Sequence, residues 1–176
     1  MSTTEGSSAN PWLDFLTPSD ATALASALNT DLDAYCSTSP IIPGTSIRRL
    51  YGFGLLPLVP EISTASLVES VEQVAALPNL KGIIMGSRGV GKGLDDAQLN
   101  PVWEALAKTG LVVFLHPHYG VNAEAWGEKD NGHVLPLALG FPFETTIVSL
   151  SFSLSMNSSL MTRDLGNNSA YFVWCF

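Results

Sequence analysis

The sequence is poor in charged side chains. They make up 14% of its 176 residues, against about 25% in a typical soluble domain. Only 8 residues are Lys or Arg, they form no cluster, and the formal net charge is -8. A surface that tracks a phosphate backbone cannot be built from so few cations, so we expect no nucleic-acid partner. The low charge also indicates faces that neighbouring elements cover.

Cysteine and long apolar runs are scarce as well. Cys36 and Cys175 are too few and too far apart to predict a disulfide framework or a zinc knuckle. No apolar stretch is long enough to cross a bilayer, and the N-terminal residues lack the basic and apolar regions of a secretory signal. We therefore expect a cytoplasmic protein without a membrane partner.

A strand–helix pattern repeats through the middle of the sequence. Apolar runs predict three buried strands, at 50–58, 82–85 and 111–115, and the first is of the kind that is buried on both sides. Apolar residues at helical spacing over 62–77 predict a surface helix. A second helix should start at Asn100, as N-cap, and stop at Gly110. Because the strands recur at intervals of about 30 residues, the pattern predicts an α/β fold with a parallel sheet and right-handed crossovers.

The two ends depart from this pattern. Residues 1–9 are polar and are predicted to be disordered, whereas 10–36 should form short helices, the second capped by Ser19 or Asp20. Residues 134–154 look helical, with an interruption near Gly140-Phe141-Pro142. Beyond position 150 no strand–helix rhythm remains, so 151–176 is interpreted as a divergent tail.

A histidine follows the third predicted strand. His116 directly succeeds Leu-Val-Val-Phe-Leu, and in a (β/α)₈ barrel the carboxyl ends of the strands carry the catalytic face. An imidazole there can bind a metal ion or transfer a proton. The alternative is a histidine that ends a strand and bonds a neighbouring loop. His118 is a weaker candidate because Pro117 makes an extended turn, and His133 is interpreted first as a loop residue.

The loop after the second predicted strand approaches a phosphate-binding motif. Residues 86–93 follow G-x-x-x-x-G-K-[ST] except that Gly93 replaces the hydroxyl residue that binds Mg²⁺. Asp95 and Asp96 would also repel a triphosphate. A Gly-rich strand-to-helix loop, with the two aspartates in a first helical turn, is the favoured interpretation, and nucleotide binding is a minor third hypothesis.

Two strings carry a family resemblance. Phe114-Leu-His-Pro-His-Tyr-Gly120, followed by 132–146, resembles the amidohydrolase superfamily in its aminocarboxymuconate semialdehyde decarboxylase-like branch, which includes γ-resorcylate decarboxylases. The strings at 52–58 and 82–106 are most like the 6-methylsalicylate and iso-orotate decarboxylases. The resemblance runs from about Ser8 to Thr146. It implies a partial, metal-dependent (β/α)₈ TIM barrel over 10–150, truncated at both ends, because a complete barrel takes about 250 residues.

The resemblance also implies a site. Such enzymes hold Zn²⁺ or another divalent metal with a His-x-His pair on the first strand, a His ending a middle strand and a late Asp. His116 matches the middle-strand ligand, whereas no His-x-His precedes Ser8 and Asp164 is a poor substitute for the late Asp. Three protein ligands are usual for catalytic zinc, so the site is expected to be incomplete. No catalytic residue is assigned, and the implied substrate-lining residues are Asn10, Trp12, Ser87, His118 and Tyr119.

The implied activity is non-oxidative decarboxylation of a small aromatic or heteroaromatic carboxylate. The metal ion would anchor the carboxylate or an adjacent oxygen, and a nearby acid would protonate the ring carbon before carbon dioxide leaves. We expect this chain to be inactive by itself. The alternative is a non-catalytic module that pairs through exposed strand edges with a full-length relative, and formation of a homo-oligomer stays open.

Overall fold

The computed structural model describes residues 4–7, 12–90, 92–117, 136–148, 150 and 172–174. Within these ranges the chain forms one parallel sheet whose strands lie side by side in sequence order. Its strands are β1 (Thr4–Ser7), β2 (Leu50–Leu55), β3 (Leu80–Gly86), β4 (Val112–His116) and β5 (Phe172–Trp174). Its α-helices are α1 (Pro18–Ser37), α2 (Thr64–Ala76), α3 (Asn100–Thr109) and α4 (141–148). The predicted α/β class and parallel sheet are confirmed.

One face of the sheet packs against helices. Gly52 and Gly54 of β2 lie on this face, where a Cβ would come within 2.9 Å of Leu32 in α1 and 2.8 Å of Val74 in α2. Small residues here let both helices approach the strand closely. The face continues into β3 and β4 through side chains that are at most 3% exposed: Ile83, Met85, Val113 and Leu115. The main core therefore lies between the sheet and these helices.

The opposite face is apolar but less completely covered. The rings of Phe53 and Phe114 pack with centroids 5.7 Å apart, and Phe53 and Ile84 are buried. Along β4, however, Val112, Phe114 and His116 are only half-buried. The predicted burial of the first strand on both sides is thus confirmed from Gly52 onward, and that of the second over 82–85. The third strand is only half-buried on this face, because less of the described structure covers it.

Helix starts differ from the predictions by a few residues. Residues 18–37 form one long helix, whose N-cap is Thr17 rather than Ser19 or Asp20. The reason is Pro18, which favours the first helical position and leaves the preceding hydroxyl to cap. Helix α3 begins at Asn100 itself, following a 3₁₀ turn over Ala97–Leu99. The predicted stop at Gly110 is confirmed, with φ of 67°.

Both ends of the sheet contain strands that the sequence analysis did not foresee. Strand β1 lies within 1–9, where disorder was predicted, and pairs with β2. Strand β5 lies within 151–176, where no continuation of the pattern was expected, and pairs with β4. Each adds to an edge whose backbone groups are open to any extended segment. The domain boundaries at 10 and 150 stay predictions. Among the described helices, none has both the length and the apolar character needed to span a membrane.

Candidate active site

The carboxyl ends of the parallel strands lie along one edge of the sheet. Strand β3 ends at Gly86, which pairs with His116, the last residue of β4. The residues that follow each strand are therefore neighbours in space although they are far apart in sequence. The candidate site is built on this edge, which we call the carboxyl edge.

His116 is held in a defined tautomer. Its Nδ1 lies 2.8 Å from the carbonyl oxygen of Pro117. A carbonyl oxygen can only accept, so Nδ1 must carry the hydrogen and donate it. In the neutral ring, Nε2 then keeps its lone pair. This arrangement, with one ring nitrogen donating to a backbone carbonyl, is common for histidines that bind metals through the other nitrogen.

Two aromatic side chains flank the imidazole. The Trp12 ring lies 5.8 Å from the His116 ring, centroid to centroid, at an interplanar angle of 52°. The Phe114 ring lies 6.0 Å away in an edge-on arrangement. Trp12 is 8% exposed, so most of its surface packs against protein. These contacts restrict the rotation of the imidazole and give its surroundings an apolar, aromatic character.

Ser87 connects the ends of β3 and β4 with α4. Its backbone N–H donates to the carbonyl oxygen of His116 at 3.0 Å, which extends the β3–β4 ladder by one bond. Its hydroxyl donates to Oε1 of Glu144. Ser87 is 1% exposed, so both bonds lie in the interior, where a lost partner is costly because water cannot replace it.

Glu144 reaches the carboxyl edge from α4, which directly follows a π-helical segment over Pro136–Gly140. The neighbouring Thr145 is buried and donates to the carbonyl oxygen of Phe141 at 2.9 Å. The bond from Ser87 to Glu144 therefore links α4 to the end of β3.

The Gly-rich loop after β3 is closed by its own backbone. The N–H of Gly89 donates to Gly86 at 3.1 Å, and that of Gly93 donates to Arg88 at 3.2 Å. Asp96 caps the 3₁₀ turn by accepting from the N–H of Gln98 at 3.1 Å. Because amides that would cradle a phosphate are used internally, these contacts support the Gly-rich loop interpretation and give the nucleotide hypothesis no support.

Three of the predicted site residues come together. Trp12 contacts the ring of His116, and Ser87 bonds its backbone. Asn10, His118 and Tyr119 lie outside the described residues. Glu144 was missed as a site residue, because its partner is 57 residues away and no local pattern in the sequence indicates that contact.

His116 is the candidate metal ligand among the described residues. Its Nε2 carries the lone pair that a metal ligand requires. Across 12–90, 92–117 and 136–148, no three His, Cys, Asp or Glu side chains are grouped so that they could hold an ion together. The predicted incompleteness of the donor set stays a prediction.

Comparison with known proteins finds decarboxylases among the similar proteins. No family model matches the chain. The 2-amino-3-carboxymuconate-6-semialdehyde decarboxylase of Dictyostelium discoideum is 32% identical over 134 residues, which are 76% of this chain and 33% of that protein. Among solved structures, IDCase of Metarhizium anisopliae in its apo form is 41% identical, with a TM-score of 0.78 over 96% of this chain and 41% of IDCase.

A second solved structure agrees in fold. The 5-carboxyvanillate decarboxylase LigW of Sphingomonas paucimobilis superposes with a TM-score of 0.69 at 22% identity, covering 96% of this chain and 45% of LigW. An identity this low supports the fold alone. The chain thus spans between a third and just under half of the length of these relatives.

Proposed function

This chain is a relative, in sequence and in fold, of decarboxylases of the amidohydrolase superfamily, and on that premise we propose that His116 is a ligand of a catalytic divalent metal ion. Zn²⁺ is the first candidate, because imidazole nitrogen is among its preferred ligands. The support is the geometry of the imidazole at the carboxyl edge, where Nδ1 donates to Pro117 and leaves Nε2 with its lone pair.

The proposed reaction is the non-oxidative decarboxylation of an aromatic or heteroaromatic acid. The bond between the ring carbon and the carboxylate breaks, its electron pair stays on the ring carbon, a proton is added there, and carbon dioxide leaves. A bound divalent ion would supply positive charge to the substrate oxygens. Within the described part of the chain, Trp12 offers an aromatic wall beside His116. Asn10, Ser87, His118 and Tyr119 complete the proposed lining, and the proton donor is unassigned.

We further propose that this chain alone does not turn over substrate. The support is that catalytic zinc usually has three protein ligands, whereas no such group of three is found among the described residues. An ion held by one imidazole would exchange freely with solvent and would not fix a substrate. A cytoplasmic location and the absence of nucleic-acid and membrane partners stay predictions from the sequence.

Metal content and carbon dioxide release test this proposal. The full chain is brought to equilibrium by dialysis against buffer that contains Zn²⁺ or Mn²⁺ and is analysed for bound metal, beside His116→Ala and the matched variant His133→Ala. We expect weak Zn²⁺ binding that is lost in His116→Ala alone, and no carbon dioxide from 5-carboxyvanillate, iso-orotate or 6-methylsalicylate. Equal binding by His116→Ala would refute the ligand assignment, and turnover of any of these acids would refute the inactivity.

The second candidate function is a non-catalytic module that pairs with a full-length relative. Its support is a row of exposed apolar side chains along residues 139–150, which we call the apolar stripe: Leu139, Phe143, Ile147 and Leu150. Exposed apolar surface of this kind is common at protein interfaces. Chromatography of the chain mixed with full-length IDCase distinguishes the candidates: co-elution supports pairing, and separate elution at micromolar concentration excludes it.

A further inference from the structure

We propose that Ser87 and Glu144 form a positioning pair for His116. Ser87 joins two bonds at one residue: its N–H donates to the carbonyl oxygen of His116 at 3.0 Å, and its hydroxyl donates to the Glu144 carboxylate. Glu144 therefore acts on His116 through Ser87. The value of this for metal binding rests on the proposed function, but the geometric claim does not.

Burial makes the pair sensitive to the loss of either member. Ser87 is 1% exposed, so the loss of a hydrogen bond there is costly. Without the Glu144 oxygen, the hydroxyl would lose this bond, and Ser87 would shift. Its N–H bond to His116 would shift with it.

The hydrogen bond from the Ser87 N–H holds the backbone of His116, the proposed metal ligand. The pairing of β3 with β4 ends at Gly86 and His116, so the Ser87 N–H bond is the next one beyond the ladder and holds the backbone of His116 from one side. The ring contact with Trp12 holds the side chain from another. Groups that bind or catalyse must be fixed to within about 0.5 Å, and residues behind a metal ligand commonly provide this.

The pair predicts a specific pattern among variants. Gln at position 144 keeps an oxygen that can accept from the Ser87 hydroxyl, although it removes the charge, whereas Ala removes the acceptor. If Glu144 acts only by accepting the hydrogen bond from Ser87, Glu144→Gln should keep the ring contact and the Zn²⁺ affinity of the original protein. If Glu144 instead binds the metal or transfers a proton, Gln should be as damaging as Ala.

The test compares Ser87→Ala, Glu144→Ala and Glu144→Gln with Glu104→Ala, a control at an exposed position of α3. In the metal-free full chain, nuclear Overhauser effects between the His116 and Trp12 rings report the ring geometry. Zn²⁺ affinity is measured by competition with a fluorescent chelator, and urea unfolding confirms that each variant is folded. We expect Ser87→Ala and Glu144→Ala to weaken the ring contact and to lower Zn²⁺ affinity by about tenfold or more. Glu144→Gln and Glu104→Ala should change neither.

The outcomes separate this inference from the proposed function. Lower stability with an unchanged ring contact in Ser87→Ala would show a merely structural pair and overturn the inference. Loss of the ring contact in Glu144→Gln would overturn it as well. If the unsubstituted chain binds no Zn²⁺, the proposed function fails, and the ring contact alone still decides whether the pair positions His116. Should Glu144→Ala not fold, Ser87→Ala carries the same comparison.

Discussion

At Asn29, one buried amide side chain satisfies the backbone at the end of β2. Its Nδ2 donates to the carbonyl oxygen of Leu55 at 2.9 Å, and its Oδ1 accepts from the N–H of Leu55 at 2.7 Å. Asn29→Ala leaves both backbone groups buried without these partners. We expect the free energy of unfolding to fall by about 2–4 kcal/mol, measured by urea denaturation.

Asn100→Ala is the matched control, because Asn100 is exposed at the start of α3. Its effect should stay within about 0.5 kcal/mol. If the two substitutions lower the free energy of unfolding equally, the pair of hydrogen bonds from Asn29 to Leu55 does not stabilise the end of β2 as inferred.

Cys36 predicts a loss of stability in alkaline solution. The thiol is fully buried, and burial raises its pKa above the ordinary value of 9.0, with the Asp33 carboxylate adding to the rise. As pH rises above about 9, the unfolded chain therefore loses this proton before the folded protein does. The stabilisation is complete below that pH and is lost as pH rises toward the folded pKa, by at most about 1.4 kcal/mol per pH unit.

Urea unfolding across this pH range, compared with Cys36→Ala, isolates the contribution of the thiol. The alanine variant should lose stability less steeply, whatever its stability near neutral pH. Identical slopes would show that the thiol ionises equally in both states.

Residue-level prediction succeeded where position along a strand decides location. The place of His116 at the carboxyl edge could be inferred because a histidine that ends a parallel strand lies there, and its role as a metal ligand stays a prediction. Glu144 could not, because its importance depends on a hydroxyl 57 residues away, and no local pattern encodes that distance. Asn29 is similar: a polar residue in a helix is usually exposed, and only the packing of α1 on β2 buries it.

Among the helices, α1 allows a direct test of two capping assignments. Thr17 accepts from the N–H of Asp20 at 3.2 Å, whereas the sequence analysis favoured Ser19 or Asp20. Thr17→Ala should lower the free energy of unfolding by about 1 kcal/mol, and Ser19→Ala, at an exposed position, by less than about 0.5 kcal/mol. Each variant removes one hydroxyl, and Thr17→Ala also removes a methyl group. A larger loss in Ser19→Ala, by thermal or urea unfolding, would reverse the assignment.

Among the described glycines, Gly82 leaves the least room for an added Cβ. A Cβ there would lie 2.3 Å from the carbonyl oxygen of Val112 and 2.5 Å from the Phe53 ring. Since the backbone of β4 cannot move away cheaply, Gly82→Ala should destabilise the protein by about 3 kcal/mol or more.

Gly110→Ala is the comparison for this substitution. No atom lies within 4 Å of its Cβ position, but its φ of +67° is strained for alanine, at a cost of about 1–2 kcal/mol. The free energy of unfolding is measured with urea. If it falls less in Gly82→Ala than in Gly110→Ala, the backbone of β4 can move away from the added Cβ at little cost.

Strands could be predicted from the sequence where burial requires apolar side chains. Strands β2, β3 and β4 are apolar runs because helices cover one face and aromatic or aliphatic packing the other. Strand β1 is Thr-Glu-Gly-Ser, which has no such composition. It is a strand because the backbone of β2 offers hydrogen bonds to it, and a pattern based on side chains cannot detect that.

For the molecule as a whole, the fold class could be predicted from the sequence, whereas the covering of β4 could not. The chain aligns with IDCase over 96% of its own residues but over only 41% of IDCase. The α/β class and the parallel sheet followed from the regular alternation of strands and helices. How completely each strand is covered depends on packing between elements that are distant in sequence, and no local pattern encodes it.

The apolar stripe and the net charge of -8 act in opposite directions on association between copies of the chain. At low ionic strength like charges repel over distances of about 30 Å, whereas at about 0.15 M salt screening reduces this to about 8 Å and short-range apolar contact can dominate. We expect the weight-average mass in sedimentation equilibrium to rise with salt. Ile147→Glu, at a position 58% exposed, should abolish the rise, and the neighbouring exposed substitution Thr146→Glu, which adds the same charge, should largely retain it. Equal effects of both variants would assign the association to net charge and not to the stripe.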